Sequence, residues 1–111
     1  MDTSLKNIND ENILDNIFNE AMDLIEKGNI EQGLEKLRNL SRQKYGKAQY
    51  KLGYYYLNGE YVKKDYAYAL YYLTQSDSKG IAEATELLAY CFENGIGVAR
   101  SLKRAKMLRC K

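Results

Sequence analysis

Apolar residues recur at intervals of three and four along most of the chain, the spacing of one buried face of a helix. Ile13, Leu14, Ile17, Phe18, Ala21, Met22 and Ile25 form the first such stripe and predict a helix from about Asp10 to Lys27, ended by Gly28. Asn29 and Gln32 have the spacing of a capping box. They open a second helix with Ile30, Gly33, Leu34, Leu37 and Leu40 on its apolar face. A third, from about Gly46 to Asn58, presents Ala48, Leu52, Gly53 and Tyr56, and Gly59 supplies the left-handed conformation that closes it. Asp65 caps a fourth helix with Tyr66, Ala69, Leu70, Leu73 and Ser76 inward, stopping before Gly80. The fifth carries Ala84, Leu87, Leu88, Cys91 and Phe92 and closes at Asn94-Gly95. Ser101 caps the last, which shows Leu102, Ala105 and Leu108. The pattern predicts an all-α chain of six helices paired into three hairpins.

Part of the chain also copies itself at a spacing of 36 residues. Ala48, Leu52, Tyr54, Asn58, Gly59 and Val62 return as Ala84, Leu88, Tyr90, Asn94, Gly95 and Val98; Gly53 and Tyr56 return as Ala89 and Phe92. Such a period marks stacked units, each unable to bury its apolar face without a neighbour. Small residues at Gly53, Ala69, Ala89 and Ala105 let the two helices of a hairpin approach at the short end of the usual range, about 8 Å. A large side chain there would force the hairpin open.

The segments AQYKLGYYYLNGEYVKKDYAYALYYL and GIAEATELLAYCFENGIGVARSLKRAKML resemble Sel-one-like repeats, relatives of the tetratricopeptide repeats with a longer turn inside the hairpin. The resemblance rests on the A-x-x-x-L-G-x-x-Y run, the N-G-x-x-V turn and the downstream alanine, and it covers about Lys44 to Lys111. From Ala21 to Gly33 the chain is four residues shorter than from Gly53 to Ala69, so residues 10–43 look like an ordinary tetratricopeptide hairpin. The expected organisation is one repeat domain over residues 1–111, with units at 10–43, 44–79 and 80–111. The resemblance implies an α-solenoid wound as a right-handed superhelix, with a concave groove that binds other proteins.

Helical phase picks out the residues facing that groove. The face of each first helix turned away from its partner lies about three residues before, and one and four residues after, the small packing residue. This selects Tyr50, Tyr54 and Leu57 in the middle hairpin, Glu86, Tyr90 and Glu93 in the third, and Phe18, Met22 and Ile25 in the first. Tyrosine offers a large rigid contact area with a hydroxyl at low entropic cost, which suits a protein-binding surface. Phe18, Met22 and Ile25 also fit a purely structural role, as core beneath the N-terminal segment.

Composition sharpens this picture. Ten of the eleven tyrosines lie between Tyr45 and Tyr72. Tyr56 and Tyr72 occupy packing positions of the repeat, whereas Tyr55, Tyr68 and Tyr71 are hard to bury together; exposed, they would mark a partner surface or self-association, the alternative being loose packing on lysine stems. The net charge of +2 hides an asymmetry: residues 1–20 hold five acids against Lys6, while Arg100, Lys103, Arg104, Lys106, Arg109 and Lys111 make the last helix basic. Helix dipoles account for part of it. The sharper reading is a basic edge, led by Arg100, Lys103 and Arg104, that steers an acidic partner. No base-reading motif accompanies the charge, so a nucleic-acid partner is not expected.

The chemistry available is sparse. The chain has no histidine, the commonest general base and metal ligand. Two cysteines without histidine make no zinc site, and the axial offset between Cys91 and Cys110, about 9 Å at 1.5 Å per residue, argues against a disulfide. Glu83, Glu86 and Tyr90 read as a solvated helix face, and the glycines fall in hairpin turns with no phosphate-binding loop. No catalytic residue, cofactor or metal is expected. The opening MDTSLKNIND has no basic segment leading into an apolar core and no stretch reaches a transmembrane length, so a cytoplasmic protein without membrane contact is expected.

The function expected is non-catalytic capture of one partner protein. Small proteins similar to this one include bacterial immunity proteins that occlude a cognate toxin domain, which makes immunity the most concrete form of the expectation. An adapter or regulator of an enzyme complex is the alternative. A β-lactam-binding or hydrolysing enzyme, proposed for cysteine-rich relatives, is a distant third, for the paired cysteines are missing.

Overall fold

The computed structural model of the chain describes the backbone of residues 3–110 and the side chains of residues 12–110. Those residues form six helices: α1 (Thr3–Glu26), α2 (Ile30–Arg42), α3 (Gly46–Asn58), α4 (Tyr66–Ser78), α5 (Ala82–Asn94) and α6 (Leu102–Arg109), and no strand occurs among them. Each helix packs chiefly on its neighbours in sequence, most closely within the pairs α1/α2, α3/α4 and α5/α6. The result is the expected all-α solenoid of helix hairpins. It is a slab of 49 × 35 × 17 Å, and its radius of gyration of 15.2 Å exceeds the roughly 13 Å of a round domain of about this length.

Small residues meet where the paired helices cross. Ala21, Ala69, Ala89 and Ala105 are almost wholly buried, as are Gly33 and Gly53. A Cβ on Gly33 would lie 2.8 Å from the Ala21 carbonyl oxygen and 2.5 Å from Ile25 Cγ1; one on Gly53 would lie 2.8 Å from Leu73 Cγ. Around these crossings the core forms two clusters. One joins Ile25, Leu34, Leu37, Leu40, Leu52 and Tyr55 across α1 to α3, and the other joins Leu57, Leu73, Leu88 and Cys91 across α3 to α5.

The 36-residue repeat is also visible in the hydrogen bonds. Gly59 and Gly95 both take the left-handed conformation, with φ of 66° and 65°. Beyond them Glu60 N–H donates to Tyr55 O at 2.9 Å, as Ile96 N–H does to Cys91 O. Asp65 N–H then returns to Tyr56 O at 2.9 Å, as Ser101 N–H does to Phe92 O at 2.7 Å. Asp65 and Ser101 accept from Tyr68 N–H and Arg104 N–H, so both expected caps are made. The two turns are one design built twice.

Several local expectations are corrected. α1 begins at Thr3 rather than near Asp10; nothing in the preceding sequence, neither proline nor glycine, stops it. Asn29 makes no side-chain cap bond; its ψ of 64° lies outside the extended range of a capping residue, and only its backbone carbonyl is used, by Gly33 N–H at 3.1 Å. Ile13, Tyr66 and Leu102 are exposed rather than inward. Tyr55 is buried, whereas Tyr68 and Tyr71 are exposed. Cys91 is buried and Cys110 exposed, and both are free thiols.

Two predictions follow from the hairpin geometry. Gly33→Ala and Gly53→Leu should each destabilise by about 1–3 kcal/mol through overpacking, lowering the melting temperature by about 4–8 °C per kcal/mol. An unchanged thermal melt followed by circular dichroism would refute the close-approach account. Ser101→Ala should remove about 1 kcal/mol of capping, and hydrogen exchange should show the loss in α6 first, since that helix has only 8 residues.

Candidate functional site

The outer faces of α1, α3 and α5 line up on one side of the slab and enclose two adjoining recesses that share Tyr50 and Tyr54. The larger, about 500 Å³, lies between α1 and α3 and is walled by Met22, Ile25, Tyr55 and Tyr61 with Glu26, Lys51 and Glu60 at its edge. The second, about 410 Å³, lies between α3 and α5 and is bounded by Glu83, Glu86, Leu87, Tyr90 and Arg109. Together they make a trough running across all three hairpins.

Tyr50 and Tyr54 pack with their ring planes tilted by 43° and centroids 6.2 Å apart, Tyr54 meets Tyr55 at 6.2 Å, and Tyr55 meets Tyr61 at 5.1 Å in a T-shaped contact. The four rings form one continuous aromatic wall, an arrangement favoured by the ring quadrupoles. Burial, then the charge of Glu83 and the neighbouring Tyr54, pushes the Tyr50 phenol above its ordinary value. Burial first, with help from Tyr61 and Glu60, pushes Tyr55 up to about 12. Both remain neutral phenols.

Not every residue selected by helical phase reaches this trough. Met22, Tyr50, Tyr54, Glu86 and Tyr90 do, and Ile25 does while 4% exposed. Leu57 does not: it is 8% exposed and packs into the second core cluster with Leu73 and Leu88. Its place in the helix matches that of Ile25, which does line the trough; what buries Leu57 is the neighbouring hairpin, through Leu88 of α5. Phe18 lies against Tyr45, centroids 5.7 Å apart, and packs on the first cluster. Its role there is structural.

Glu93 is drawn away from the trough by a residue that phase analysis left out. Arg109, from α6, donates through Nη1 and Nη2 to both carboxylate oxygens of Glu93 at 2.7 and 3.0 Å, and through Nε to Glu86 at 2.7 Å. Its hydrogen bonds hold the Glu93 carboxyl below the usual carboxylate range. The fork closes one end of the trough and ties α6 to α5. Arg109 therefore does not belong to the basic edge. Of that edge, Lys103 and Arg104 are exposed, Arg104 lying 5.7 Å over the Phe92 ring, while Arg100 donates to the Glu93 carbonyl at 3.0 Å.

Tyr61 is the other residue missed. It stands 36 positions before Gly97 and shares its left-handed backbone, φ of 65° against 71°. Where one repeat places glycine the other holds a large ring against Tyr55, at some cost in strain. That mismatch in an otherwise matched turn was the signal available in the sequence.

Among the described residues no group of three or more histidine, cysteine, aspartate or glutamate side chains is placed to hold a metal ion, and no helix is long and apolar enough to cross a membrane. The trough offers rings, four carboxylates and two cations.

Comparisons with known proteins agree with this architecture. A family model described as Sel1 repeat matches residues 46–76 and 82–108. No curated protein sequence matches the chain. Among solved structures, a Sel1 repeat protein from Oxalobacter formigenes superposes with a TM-score of 0.66 at 24% identity, over 70% of this chain and 32% of its own. A protective antigen present in uropathogenic Escherichia coli strains, displaying an SLR fold, superposes with a TM-score of 0.67 at 31% identity, over 69% of this chain and 16% of its own. This chain thus spans a third or less of the length of either. The two matched segments are the hairpins whose turns repeat bond for bond, and by them the chain belongs to the Sel1 repeat family.

Proposed function

We propose that this chain is a non-catalytic protein-binding module whose trough holds a segment of one partner protein. The observation that supports it best is the uninterrupted run of the Tyr50, Tyr54, Tyr55 and Tyr61 rings, in which buried Tyr55 backs a face formed by the half-buried Tyr50 and Tyr54 and the exposed Tyr61, with the 49% exposed Tyr90 farther along the trough. Sel1 repeats generally mediate protein–protein interaction, which agrees with this reading. Four carboxylates, Glu26, Glu60, Glu83 and Glu86, face the trough against Lys51 and Arg109. The fitting partner segment presents apolar or aromatic side chains to the tyrosine rings and basic ones to the carboxylates at either end. An acidic segment suits the trough poorly.

Capture of a toxin's terminal domain is the most specific form of the proposal, and adapter duty on an enzyme complex is its rival. Both use the same surface. Affinity purification from the native host, read by mass spectrometry, separates them: a secreted toxin encoded beside this chain supports immunity, and a housekeeping complex supports the adapter.

Once the partner is in hand, Tyr54→Ala and Tyr90→Ala should each weaken binding by about 2 kcal/mol or more, roughly 30-fold, as interfacial tyrosines do. Tyr90, half exposed, is the cleaner of the two because its loss should leave the melting temperature unchanged. Near-neutral results at both would move the contact surface elsewhere. Arg109→Ala should free Glu86 and Glu93, tighten a basic partner segment and make its binding more sensitive to salt, measured by titration calorimetry at two ionic strengths.

A further inference from the structure

On another part of the slab, where the ends of α2 and α4 meet the start of α3, lies a cavity of about 410 Å³ that shares no residue with the trough. Arg38, Arg42, Lys44 and Lys79 line it, and no carboxylate does. Cations in the last turn of a helix are ordinary complements to its dipole. Here they exceed that need: two helix C-termini bring about half a negative charge each, leaving roughly three of the four positive charges unbalanced. Other partners consume little of this. Arg38 reaches Glu35 only at 4.0 Å, and Arg42 donates one bond to the neutral Asn39 side chain.

A second, independent observation lies in the cavity wall. Gln49 is 1% exposed, and its amide Nε2 donates to Gln75 Oε1 at 3.3 Å. Its Oε1 has no protein partner. A buried amide left half satisfied costs stability, about 1–3 kcal/mol, and any hydrophobic residue of that size would avoid the cost. Rotating both amides exchanges the roles: Gln75 Nε2 then donates to Gln49 Oε1, and Gln49 Nε2 becomes a donor for an incoming anion.

We propose that this cavity binds a phosphate monoester. Two guanidinium forks match phosphate oxygens in pairs, and two ammonium groups add compact charge, a set better matched to a dianion than to a single carboxylate. The cavity is larger than a phosphate group, and the remaining room, beside the rings of Tyr71 and Tyr72, takes the group that carries it. That carrier is either a phosphorylated side chain of a protein or a small phosphorylated metabolite.

Two-dimensional NMR of the full chain, titrated with inorganic phosphate, free O-phosphoserine and a short phosphoserine peptide, tests this. Saturable shifts of the Gln49 and Gln75 side-chain amides are expected, with affinity falling about tenfold in Arg42→Gln and in Lys79→Gln and unchanged in Tyr90→Ala. Tighter binding of the peptide than of free phosphoserine assigns the site to a phosphoprotein; equal binding assigns it to a metabolite. Circular dichroism melts of the variants establish that they fold. Shifts spread evenly over Lys103, Arg104 and the other surface cations, or full affinity in a folded Gln49→Leu variant, would overturn the assignment.

Discussion

The close crossing of paired helices, at Ala21 with Gly33, Gly53 with Ala69 and Ala89 with Ala105, is the constraint on which the rest depends. At the first crossing even a methyl group would meet a backbone carbonyl at 2.8 Å, so the two helices can sit there only with glycine in place. Tight hairpins stack as plates, and the first helices of successive plates then share one face. Were the hairpins splayed by a single large residue, α1, α3 and α5 would lose their common alignment and the trough would break into separate dents. Close packing transmits such a shift because interiors have little room to absorb it.

The seven-residue turns that begin at Gly59 and Gly95 fix the second half of each plate. Their matched hydrogen bonds return the chain to the helix it has just left, at Tyr56 O and Phe92 O, before the caps at Asp65 and Ser101 start the next. The turn also decides which side chains sit at the rim. In the middle hairpin it swings Tyr61 onto Tyr55, extending the aromatic wall towards α1. The third hairpin has glycine at that position, and its rim is instead closed by Arg109 reaching across from α6. One backbone design thus carries two differently closed rims.

Helix number, order, pairing and the small-residue crossings were legible in the sequence because each rests on local rules of periodicity, caps and glycine. Tyr50, Tyr54 and Tyr90 were legible for the same reason: phase along one helix suffices to place them. Leu57 was misplaced because its burial depends on a neighbouring hairpin, through Leu88, which a single-helix argument cannot see. Arg109 escaped for a related reason. A long side chain 16 residues from Glu93 in sequence reads as one more charge on a basic helix until the fold brings the carboxylates within reach. The failed cap at Asn29 has another cause. The short first link needs a ψ that a capping side chain cannot use.

The modest net charge of +2 conceals a separation that matters more than its size. Four carboxylates against two cations face the trough, whereas the cavity at the ends of α2 and α4 is faced by four cations and no carboxylate. The two sets are opposite in sign, so the trough suits a basic segment and the cavity an anion. A molecule this small can therefore offer two chemically opposite surfaces at once, provided the stack stays rigid enough to keep them apart, and that rigidity returns to the glycine and alanine crossings.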